Sequence, residues 1–504
     1  MIWFARILSF SVGFLSLSEE ILWVRLVSFA TGGLPQAFGY VLGSFLVGIA
    51  LGAVVGKRFC ERSANLPQVA GVVLLCAGLV DLALPWLAVQ ALNIAPPIHL
   101  VALAFLIAAS ALLKSILFPI AHHLGTVTEG GKVGVSVSRV YCANILGATT
   151  GPLVTGLLLL EWFSLRTNFV AIGLLTAACG LACLARSWNP ARLLLPAAPI
   201  AAAAVLSLQF PLVRHLIERN VHHRGPINFV LQNRHGIVHT HASDTGGDWV
   251  YGGNTYDGRV NADLLVDSNG IRRVYLLGAL HPRPAQILQI GLGSGSWMEV
   301  LAGFPGLESL EVVEINPGYA QLVERYPGVR AAEARPDVHL NWDDGRKWLH
   351  QHPDRQFDLI VVNTTFFWRA YTTMLLSREF MSLSRSRLAP GGILAFNSTG
   401  SPDAFATARA VFPHVYESES FVIASDRPLA LDLSTALSRL ARIELPTGQR
   451  LDLDDPRTVA KITSMVEKFR PYRPSATEAA NSTIITDQNM LTEYRHGTRL
   501  RWWH

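Results

Sequence analysis

A series of long apolar segments, confined to the first 210 residues, restricts the possible folds of this chain most. A helix needs about 20 apolar residues to cross the ~30 Å hydrocarbon core of a bilayer. The composition agrees with such helices, because 50% of the 504 residues are hydrophobic and only 16% are charged. We therefore predict a multi-pass α-helical membrane domain of about seven or eight helices over residues 1–210. The apolar segments lie near residues 7–30, 36–56, 67–90, 98–120, 140–160, 168–185 and 193–210.

Basic residues between the apolar segments predict the orientation of the helices. Lysine and arginine cluster after the second, fourth and sixth segments, and loops with such clusters usually face the cytoplasm. Seven crossings would then place the rest of the chain outside the cell. An eighth crossing, or an incomplete seventh one, would place it in the cytoplasm. We predict a protein of the cell (inner) membrane whose soluble part is cytoplasmic.

Five ionisable residues interrupt the predicted membrane helices: Glu19, Glu20, Arg25, Asp81 and Lys114. A charge at the bilayer centre costs about 2.5–3.5 kcal/mol on insertion scales, so each of these residues needs a partner or water. Two explanations remain open, namely a polar cavity among the helices and structural pairing between helices. For the second, we expect an ion pair between Arg25 and Asp81.

The pattern changes to that of a soluble α/β protein after residue 210. Residues 211–282 are predicted to form a linker and a small antiparallel β subdomain, with "INFVL", "GIVHTHA", "DWVYGG" and "RRVYLL" as strands. Residues 283–425 are predicted to form a Rossmann-like domain, because "AQILQI", "LESLEVVEI", "DVHL", "FDLIVV" and "GILAF" alternate with helical segments. Residues 426–504 are interpreted as a C-terminal extension.

Three polar features at the ends of these strands predict a ligand that contains adenosine. The first is a glycine-rich turn, "GLGSG", which would bring the backbone close to the ligand and open a helix. The second is Glu314, about twenty residues later, where a carboxylate can accept both ribose hydroxyls. The third is "DDG" after the next strand, which suits the adenine amino group. The predicted cofactor-binding residues are Gly291, Gly293, Ser294, Gly295, Glu314, Asp343, Asp344 and Gly345.

The same motifs, in order, resemble the spermidine synthase (polyamine aminopropyltransferase) family over roughly residues 229–425. They are "YDG", "HP", "ILQIGLGSG", "VVEINP", "DDGRKWL", "FDLIVV", "REF" and "LAPGGIL". The helical segments "YVLGSFLVGIALG" and "RVYCANILGATTG" are similar to the multi-pass membrane branch of that family. The resemblance implies a ligand of the S-adenosylmethionine type, with Glu314 on the ribose, Asp344 near the adenine and the glycine loop along the tail.

The chain departs from the family pattern where the family carries acidic residues. Soluble members have an acidic residue in the glycine loop, where this chain has Ser294. They also have Tyr-His-Glu where this chain has Tyr275 followed by two leucines. After the fourth strand, the resemblance implies an Asp-Ser-Ser/Thr-Asp-Pro motif whose first aspartate takes a proton from the attacking polyamine. This chain has Asn363 at that position.

The neutral Asn363 favours intact S-adenosylmethionine over its decarboxylated form. An aspartate about 4 Å from the methionine carboxylate would repel it by ~4 kcal/mol at an effective dielectric constant of 20, which is almost three decades of affinity. Asparagine removes this repulsion, Thr364 and Thr365 add hydroxyl donors, and Arg369 is expected to bind the carboxylate. Asp257 is the one remaining candidate for a base in the family motif.

We therefore predict a transferase that consumes S-adenosylmethionine at its 3-amino-3-carboxypropyl arm and releases methylthioadenosine, with intramolecular cyclisation as one form of the reaction. Alternatives are methyl transfer, polyamine aminopropyl transfer and, in another class, a transporter with a domain that senses S-adenosylmethionine. The expected partners are a small-molecule substrate and the lipid bilayer, with no metal and no nucleic acid; the oligomeric state stays open. The candidate catalytic residues are Asn363, Thr364, Tyr256 and Asp257, and the candidate substrate-binding residues are Thr365, Arg369, Tyr275 and Tyr371.

Overall fold

The computed structural model describes residues 1–95, 97–126, 133–185, 187–221, 225–363 and 366–497. Its N-terminal part consists of helices that are joined by short connections, and a π-helical turn follows the sixth of them. These helices are α1 (Ile2–Ala30), α2 (Gln36–Arg62), α3 (Leu66–Leu92), α4 (Ile98–Ser115), α5 (Leu117–Gly125), α6 (Val133–Val154), α7 (Leu160–Trp162), α8 (Leu165–Leu184), α9 (Pro190–Gln209) and α10 (Leu212–Val221).

Seven helical segments within the described residues are long and apolar enough to cross a membrane, and they match the seven apolar segments of the sequence. Two of them combine consecutive elements, α4 with α5 and α6 with α7. The outer face of α2 shows how apolar their surface is, because Leu46, Val47, Leu51 and Val54 are each more than half exposed. The segments are Ile2–Ala30, Gln36–Arg62, Leu66–Leu92, Ile98–Gly125, Val133–Trp162, Leu165–Leu184 and Pro190–Gln209.

The buried charges of the helical part form a cluster that differs from the expected pair. The Lys114 ammonium bonds the Asp81 carboxylate at 2.7 Å and also bonds the Glu19 carboxylate, and all three side chains are fully buried. The expected pair of Arg25 with Asp81 is wrong. Arg25 lies near the C-terminal end of α1, where its guanidinium donates to the carbonyl oxygens of Asn233 and Arg234.

A four-stranded antiparallel sheet follows the helices, in the order β1 (Ile227–Asn233), β2 (Gly236–His241), β3 (Trp249–Gly252) and β4 (Thr255–Arg259). The prediction of a strand at "RRVYLL" is wrong, because this segment forms α11 (Arg272–Leu280). The fourth strand is instead "TYDGR". A short apolar run cannot be assigned to strand or helix by periodicity alone, and here the helix buries its apolar residues against the larger sheet.

The second sheet has eight strands, and its centre is the predicted parallel sheet. The order is β12-β10-β11-β9-β8-β5-β6-β7, in which the five neighbours from β9 to β7 are parallel and the remaining strands are antiparallel. The strands are β5 (Gln286–Ile290), β6 (Ser309–Glu314), β7 (Val338–Trp342), β8 (Phe357–Val362), β9 (Leu388–Asn397), β10 (His414–Ser418), β11 (Phe421–Ser425) and β12 (Arg470–Pro471).

Helices cover both faces of this sheet, and they leave a crevice between β5 and β8. The direction of the strand order reverses at this point, which is where open α/β sheets bind their ligands. The helices are α12 (Ser296–Ala302), α13 (Tyr319–Arg325), α14 (Pro327–Glu333), α15 (Gly345–Gln351), α16 (Arg378–Ser386), α17 (Pro402–Val411), α18 (Leu433–Leu440), α19 (Pro456–Lys468), α20 (Ala476–Asn481) and α21 (Leu491–Gly497).

Candidate functional site

Two adjoining cavities occupy the crevice at the carboxyl ends of β5, β6 and β8. The first has a volume of about 390 Å³ and the second about 260 Å³. Asp257 and Asn363 line both cavities and therefore mark their junction. Of the predicted site residues, the first cavity also receives Gly291, Gly293, Glu314, Asp344, Arg369 and Tyr371, and the second receives Tyr256 and Ser294.

The glycine-rich loop after β5 forms one wall of the first cavity. Gly291 and Gly293 have φ angles of +87° and +56°, which lie in the region that favours glycine. A side chain on Gly291 would begin 2.9 Å from the carbonyl oxygen of Asn363, so the loop and the end of β8 are in close contact. The loop thus presents its backbone to a ligand.

Gly295 and Gly345, which were predicted to contact the cofactor, have packing roles instead. A Cβ on Gly295 would lie 2.4 Å from Val329, and one on Gly345 would lie 2.4 Å from Ile290. Neither glycine lines a cavity. Both let a helix approach a neighbouring element closely, which the sequence spacing alone does not distinguish from ligand contact.

The Glu314 carboxylate is held at the end of β6 by two backbone amides. It accepts hydrogen bonds from the amides of Leu292 at 2.8 Å and Asn316 at 2.9 Å. Burial raises the pKa of Glu314 to about 7, although the two backbone hydrogen bonds act to lower it. Glu314 therefore lies where a carboxylate can accept ribose hydroxyls, and its charge depends on pH near neutrality.

The two aspartates after β7 have different positions. Asp344 lines the first cavity and caps α15, because its carboxylate accepts the amide of Lys347 at 2.8 Å. Asp343 does not line the cavity, and its carboxylate bonds the Lys347 ammonium at 2.8 Å. The prediction of a cofactor contact is wrong for Asp343, since its side chain is bound by a lysine on the surface.

Asp257, at the junction of the cavities, is a half-buried residue whose carboxyl group has one hydrogen-bond donor from α13. The Tyr319 hydroxyl donates to it. Burial raises the pKa of Asp257, while the nearby Arg369 guanidinium and the Tyr319 hydrogen bond act to lower it. Tyr319 also lines the first cavity. No sequence motif predicted its role, because Tyr319 on α13 and Asp257 on β4 are far apart in sequence and meet only in the folded chain.

The segment after β8 brings Arg369 and Tyr371 to the first cavity. Arg369 lies close enough to Glu314 and Asp257 to influence the pKa of each carboxyl group. It therefore lies on the side of the first cavity that contains Glu314. Tyr371 has a φ of +68° and is 75% exposed at the rim. Thr364 and Thr365, the other predicted residues of this segment, lie outside the described residues.

The helical part of the chain contributes a wall to this site through the connection between α1 and α2. The amide of Ala370 donates to the carbonyl oxygen of Gly33 at 2.9 Å, and the Thr255 hydroxyl donates to that of Gly32 at 2.6 Å. A Cβ on Gly33 would lie 3.1 Å from the Arg369 side chain. The position of Arg369 thus depends on a loop more than 300 residues away in sequence, which local patterns could not predict.

The second cavity lies between α11, the glycine loop and the ends of β8 and β9. Tyr256 lines it, and the Tyr256 hydroxyl donates to the carbonyl oxygen of Ser268 at 3.4 Å. Tyr275 does not reach it. This predicted substrate-binding residue is buried in the core on α11 and donates its hydroxyl to the carbonyl oxygen of Ala262 at 3.0 Å. The prediction for Tyr275 is wrong because its side chain is buried in the core and lines neither of the two cavities.

Residues that the sequence motifs did not predict make up most of the second cavity. Among the described residues that line it, Asp257 is the one carboxylate and Arg273 is the one cation. Within the described part of the chain, no group of three or more His, Cys, Asp or Glu side chains is arranged to hold a metal ion. The further lining residues are Gly258, Asn269, Arg273, Trp297, Phe366, Asn397, Thr399 and Ser420.

Curated relatives of this chain are named polyamine aminopropyltransferase. The protein from Alkalilimnicola ehrlichii is 33% identical over 86 residues, which are 17% of this chain and 30% of the relative. The protein from Streptococcus pneumoniae is 30% identical over 130 residues, or 26% of this chain and 44% of the relative. The chain thus spans less than half the length of these two relatives. No family model matches the chain.

A relative from Mycobacterium tuberculosis matches over a longer region, at 26% identity over 398 residues, or 74% of this chain and 72% of the relative. This share exceeds residues 211–504, so the match extends into the N-terminal helices. Solved structures of spermidine synthase also match, one in complex with the transition state analogue AdoDATO and one from Thermotoga maritima. Both are 16% identical and cover 47% of this chain, with 83% and 84% of their own chains covered and TM-scores of 0.36 and 0.35.

The fold and the two cavities define an α/β protein with a crevice at the carboxyl ends of its parallel strands. In sequence the chain is similar to polyamine aminopropyltransferases, and the resemblance that its motifs predicted is confirmed.

Proposed function

We propose that this protein is a membrane-embedded transferase that consumes S-adenosylmethionine at its 3-amino-3-carboxypropyl arm and releases methylthioadenosine. The observation that carries the proposal is the neutral Asn363 at the junction of the two cavities, where Asp257 is the one lining carboxylate of the second cavity among the described residues. A site for a polyamine would need several carboxylates to hold its cationic amines.

The nucleoside would occupy the first cavity, whose volume of about 390 Å³ is in the range of small-molecule sites. Glu314 would accept the ribose hydroxyls, and Asp344 would accept the adenine amino group. The sulfonium would lie beside Gly293 and Asn363, so that the amino-acid arm extends toward the second cavity. In this placement, one substrate molecule occupies both cavities.

The reaction would be a displacement at the γ-carbon of the arm. A nucleophile forms a bond to this carbon, the carbon–sulfur bond breaks, and its electron pair stays on sulfur as methylthioadenosine. The carboxylate of the arm itself is already deprotonated and closes a five-membered ring, so it needs no base and gains from high effective molarity. The neutral Asn363 does not repel this carboxylate, as an aspartate at the same position would.

Aminopropyl transfer to an amine is the second candidate function. The names of the curated relatives favour it. So does Asp257, because the raised pKa of its carboxyl group suits a general base. In this reaction the donor would be decarboxylated S-adenosylmethionine, and Asp257 would take the proton of the attacking amine.

We also propose that the seven apolar helical segments cross the cell membrane and that the catalytic part faces the cytoplasm. Their length and hydropathy and the exposed apolar face of α2 support the membrane location. Because the α1–α2 connection contacts the segment after β8, the helices would also shape the site. Reporter fusions at the C-terminus test the side of the membrane, and an external reporter would contradict this orientation.

The reaction is tested by incubating the purified full-length protein with S-adenosylmethionine that carries separate labels in its methyl group and its carboxyl carbon. We expect the methyl label in methylthioadenosine and the carboxyl label in the released arm. Methyl transfer would leave the carboxyl label in S-adenosylhomocysteine. If the protein binds S-adenosylmethionine but does not convert it, the result would favour a transporter with a domain that senses this compound. Glu314→Gln should lose activity, whereas Glu308→Gln, at an exposed ion pair, should retain it.

A further inference from the structure

The second cavity contains a guanidinium group that forms no hydrogen bond or ion pair with any described residue. Arg273, on the first turn of α11, lines this cavity. None of the described residues accepts a hydrogen bond from its guanidinium, and the Nε atom is buried without a partner. Its recorded side-chain contact is with the Phe421 ring, whose centre lies 5.9 Å from the guanidinium carbon. A partly buried, unpaired guanidinium is costly unless an anion joins it.

The carboxylates closest to Arg273 already have other cations. Asp267 and Glu419 are shared among three basic residues, which leaves Arg273 as a fourth cation beside two anions. Burial and the neighbouring charge of Arg272 lower the pKa of Arg273, although Glu419 and Asp267 act to raise it. The ion pairs are Arg272 with Asp267 and with Glu419, Lys461 with Asp267 at 2.8 Å, and Lys468 with Glu419 at 2.8 Å.

Asn269 lines the same cavity and also has an unused hydrogen-bonding atom, which is an acceptor rather than a donor. The Asn269 side-chain nitrogen donates to the carbonyl oxygen of Arg259 at 2.7 Å, which fixes the orientation of the amide. Its oxygen is left without a donor among the described residues. An unused acceptor and an unpaired guanidinium in the lining of one cavity fit a group that carries both an ammonium and a carboxylate.

From these observations we propose that the second cavity is a subsite for an α-amino-acid group, in which Arg273 binds the carboxylate and Asn269 accepts from the ammonium. The inference rests on the proposed function and makes it more specific, because the occupant would be the 3-amino-3-carboxypropyl end of S-adenosylmethionine. It also moves the carboxylate partner from Arg369, which lies on the ribose side of the first cavity, to Arg273.

The test compares three ligands on the full-length protein in detergent by isothermal titration calorimetry. S-adenosylmethionine has the complete amino-acid end, its decarboxylated form lacks the carboxylate, and methylthioadenosine lacks the whole end. Arg273→Gln should weaken S-adenosylmethionine by about 10- to 100-fold, the loss expected for a charge-assisted hydrogen bond. The affinities for the other two ligands should change less than twofold. Arg283→Gln, which removes an exposed arginine outside both cavities, is the matched control and should change none of them.

The three ligands separate failure of this inference from failure of the proposed function. If wild-type protein binds methylthioadenosine and S-adenosylmethionine but Arg273→Gln leaves their affinity ratio unchanged, the subsite is wrong and the nucleoside site stands. If wild type binds none of the ligands, the proposed function is wrong and the subsite with it. Should Arg273→Gln fail to fold, Arg273→Lys replaces it, since it keeps the charge but loses the bidentate geometry. A loss of three- to tenfold for S-adenosylmethionine alone is then expected, and no loss overturns the proposal.

Discussion

Restoring an acid at position 363 should change which sulfonium nucleoside this protein prefers. Asn363 lines both cavities, so in Asn363→Asp the new carboxylate would face the arm of the substrate. A sphere with the 260 Å³ volume of the second cavity has a radius of about 4 Å, and two like charges at this separation repel by ~4 kcal/mol at an effective dielectric constant of 20. This energy corresponds to almost three decades in affinity.

The expected result is a shift in the ratio of two dissociation constants. Asn363→Asp should weaken intact S-adenosylmethionine relative to its decarboxylated form by about 100- to 1,000-fold, because the two ligands differ only in the carboxylate. Both constants are measured by calorimetry on full-length protein, with methylthioadenosine as a check of the nucleoside site. Ser294→Asp places an acid in the glycine loop of the second cavity and should shift the ratio in the same direction.

The matched control is Asn341→Asp, an equivalent change on β7 outside both cavities, which should leave the ratio unchanged. A ratio in Asn363→Asp that stays within threefold of wild type, with normal affinity for methylthioadenosine, would refute the reasoning. The carboxylate of the ligand would then lie away from Asn363, or the ligand would be another compound.

Three further predictions concern pH, the α1–α2 connection and the buried charge cluster. The pKa of Glu314 is raised to about 7, and ribose binding needs the ionised carboxylate. The affinity for methylthioadenosine should therefore rise by up to tenfold per pH unit below pH 7 and level off above it. Titrations from pH 5 to 8 measure this dependence, and the same pH dependence in Glu314→Gln would contradict it. Gly33→Ala, at a φ of +82° and against the segment after β8, should weaken methylthioadenosine binding several-fold in calorimetry, whereas Gly43→Ala, with open space around it, should not; equal effects would contradict the proposed coupling. Lys114→Met leaves two buried carboxylates without their cation and should destabilise the protein by about 3–5 kcal/mol, measured as a loss of thermal stability in detergent. The control Lys57→Met, at an exposed ion pair, should cost less than about 1 kcal/mol. Similar losses in the two variants would contradict this account.

The parts of the site that the sequence predicted are those encoded by local patterns. Glycine at 291 and 293 and the acid at 314 follow buried strands directly, so their meeting at one sheet edge follows from the parallel order. The same logic predicted the position of Asn363. It could not separate Asp343 from Asp344, because the choice depends on which carboxylate the Lys347 ammonium binds.

The second cavity could not be predicted because its walls come from distant segments. Arg273, Asn397 and Ser420 meet only after α11, β9 and β11 have assembled. The sequence pattern around Arg273 predicts a strand, whereas this segment forms α11. Whether an arginine forms an ion pair also depends on the other charges nearby. Here Lys461 and Lys468 of α19 bind Asp267 and Glu419, the two carboxylates near Arg273.

The most direct test of the central claim is a comparison of kcat/KM for two reactions catalysed by the same purified protein. One reaction uses S-adenosylmethionine alone, and the other uses decarboxylated S-adenosylmethionine with a diamine, with methylthioadenosine as the common product. We expect methylthioadenosine from S-adenosylmethionine alone, at a kcat/KM at least tenfold above that of the second reaction. Formation of methylthioadenosine only from the decarboxylated donor with the diamine would contradict the account.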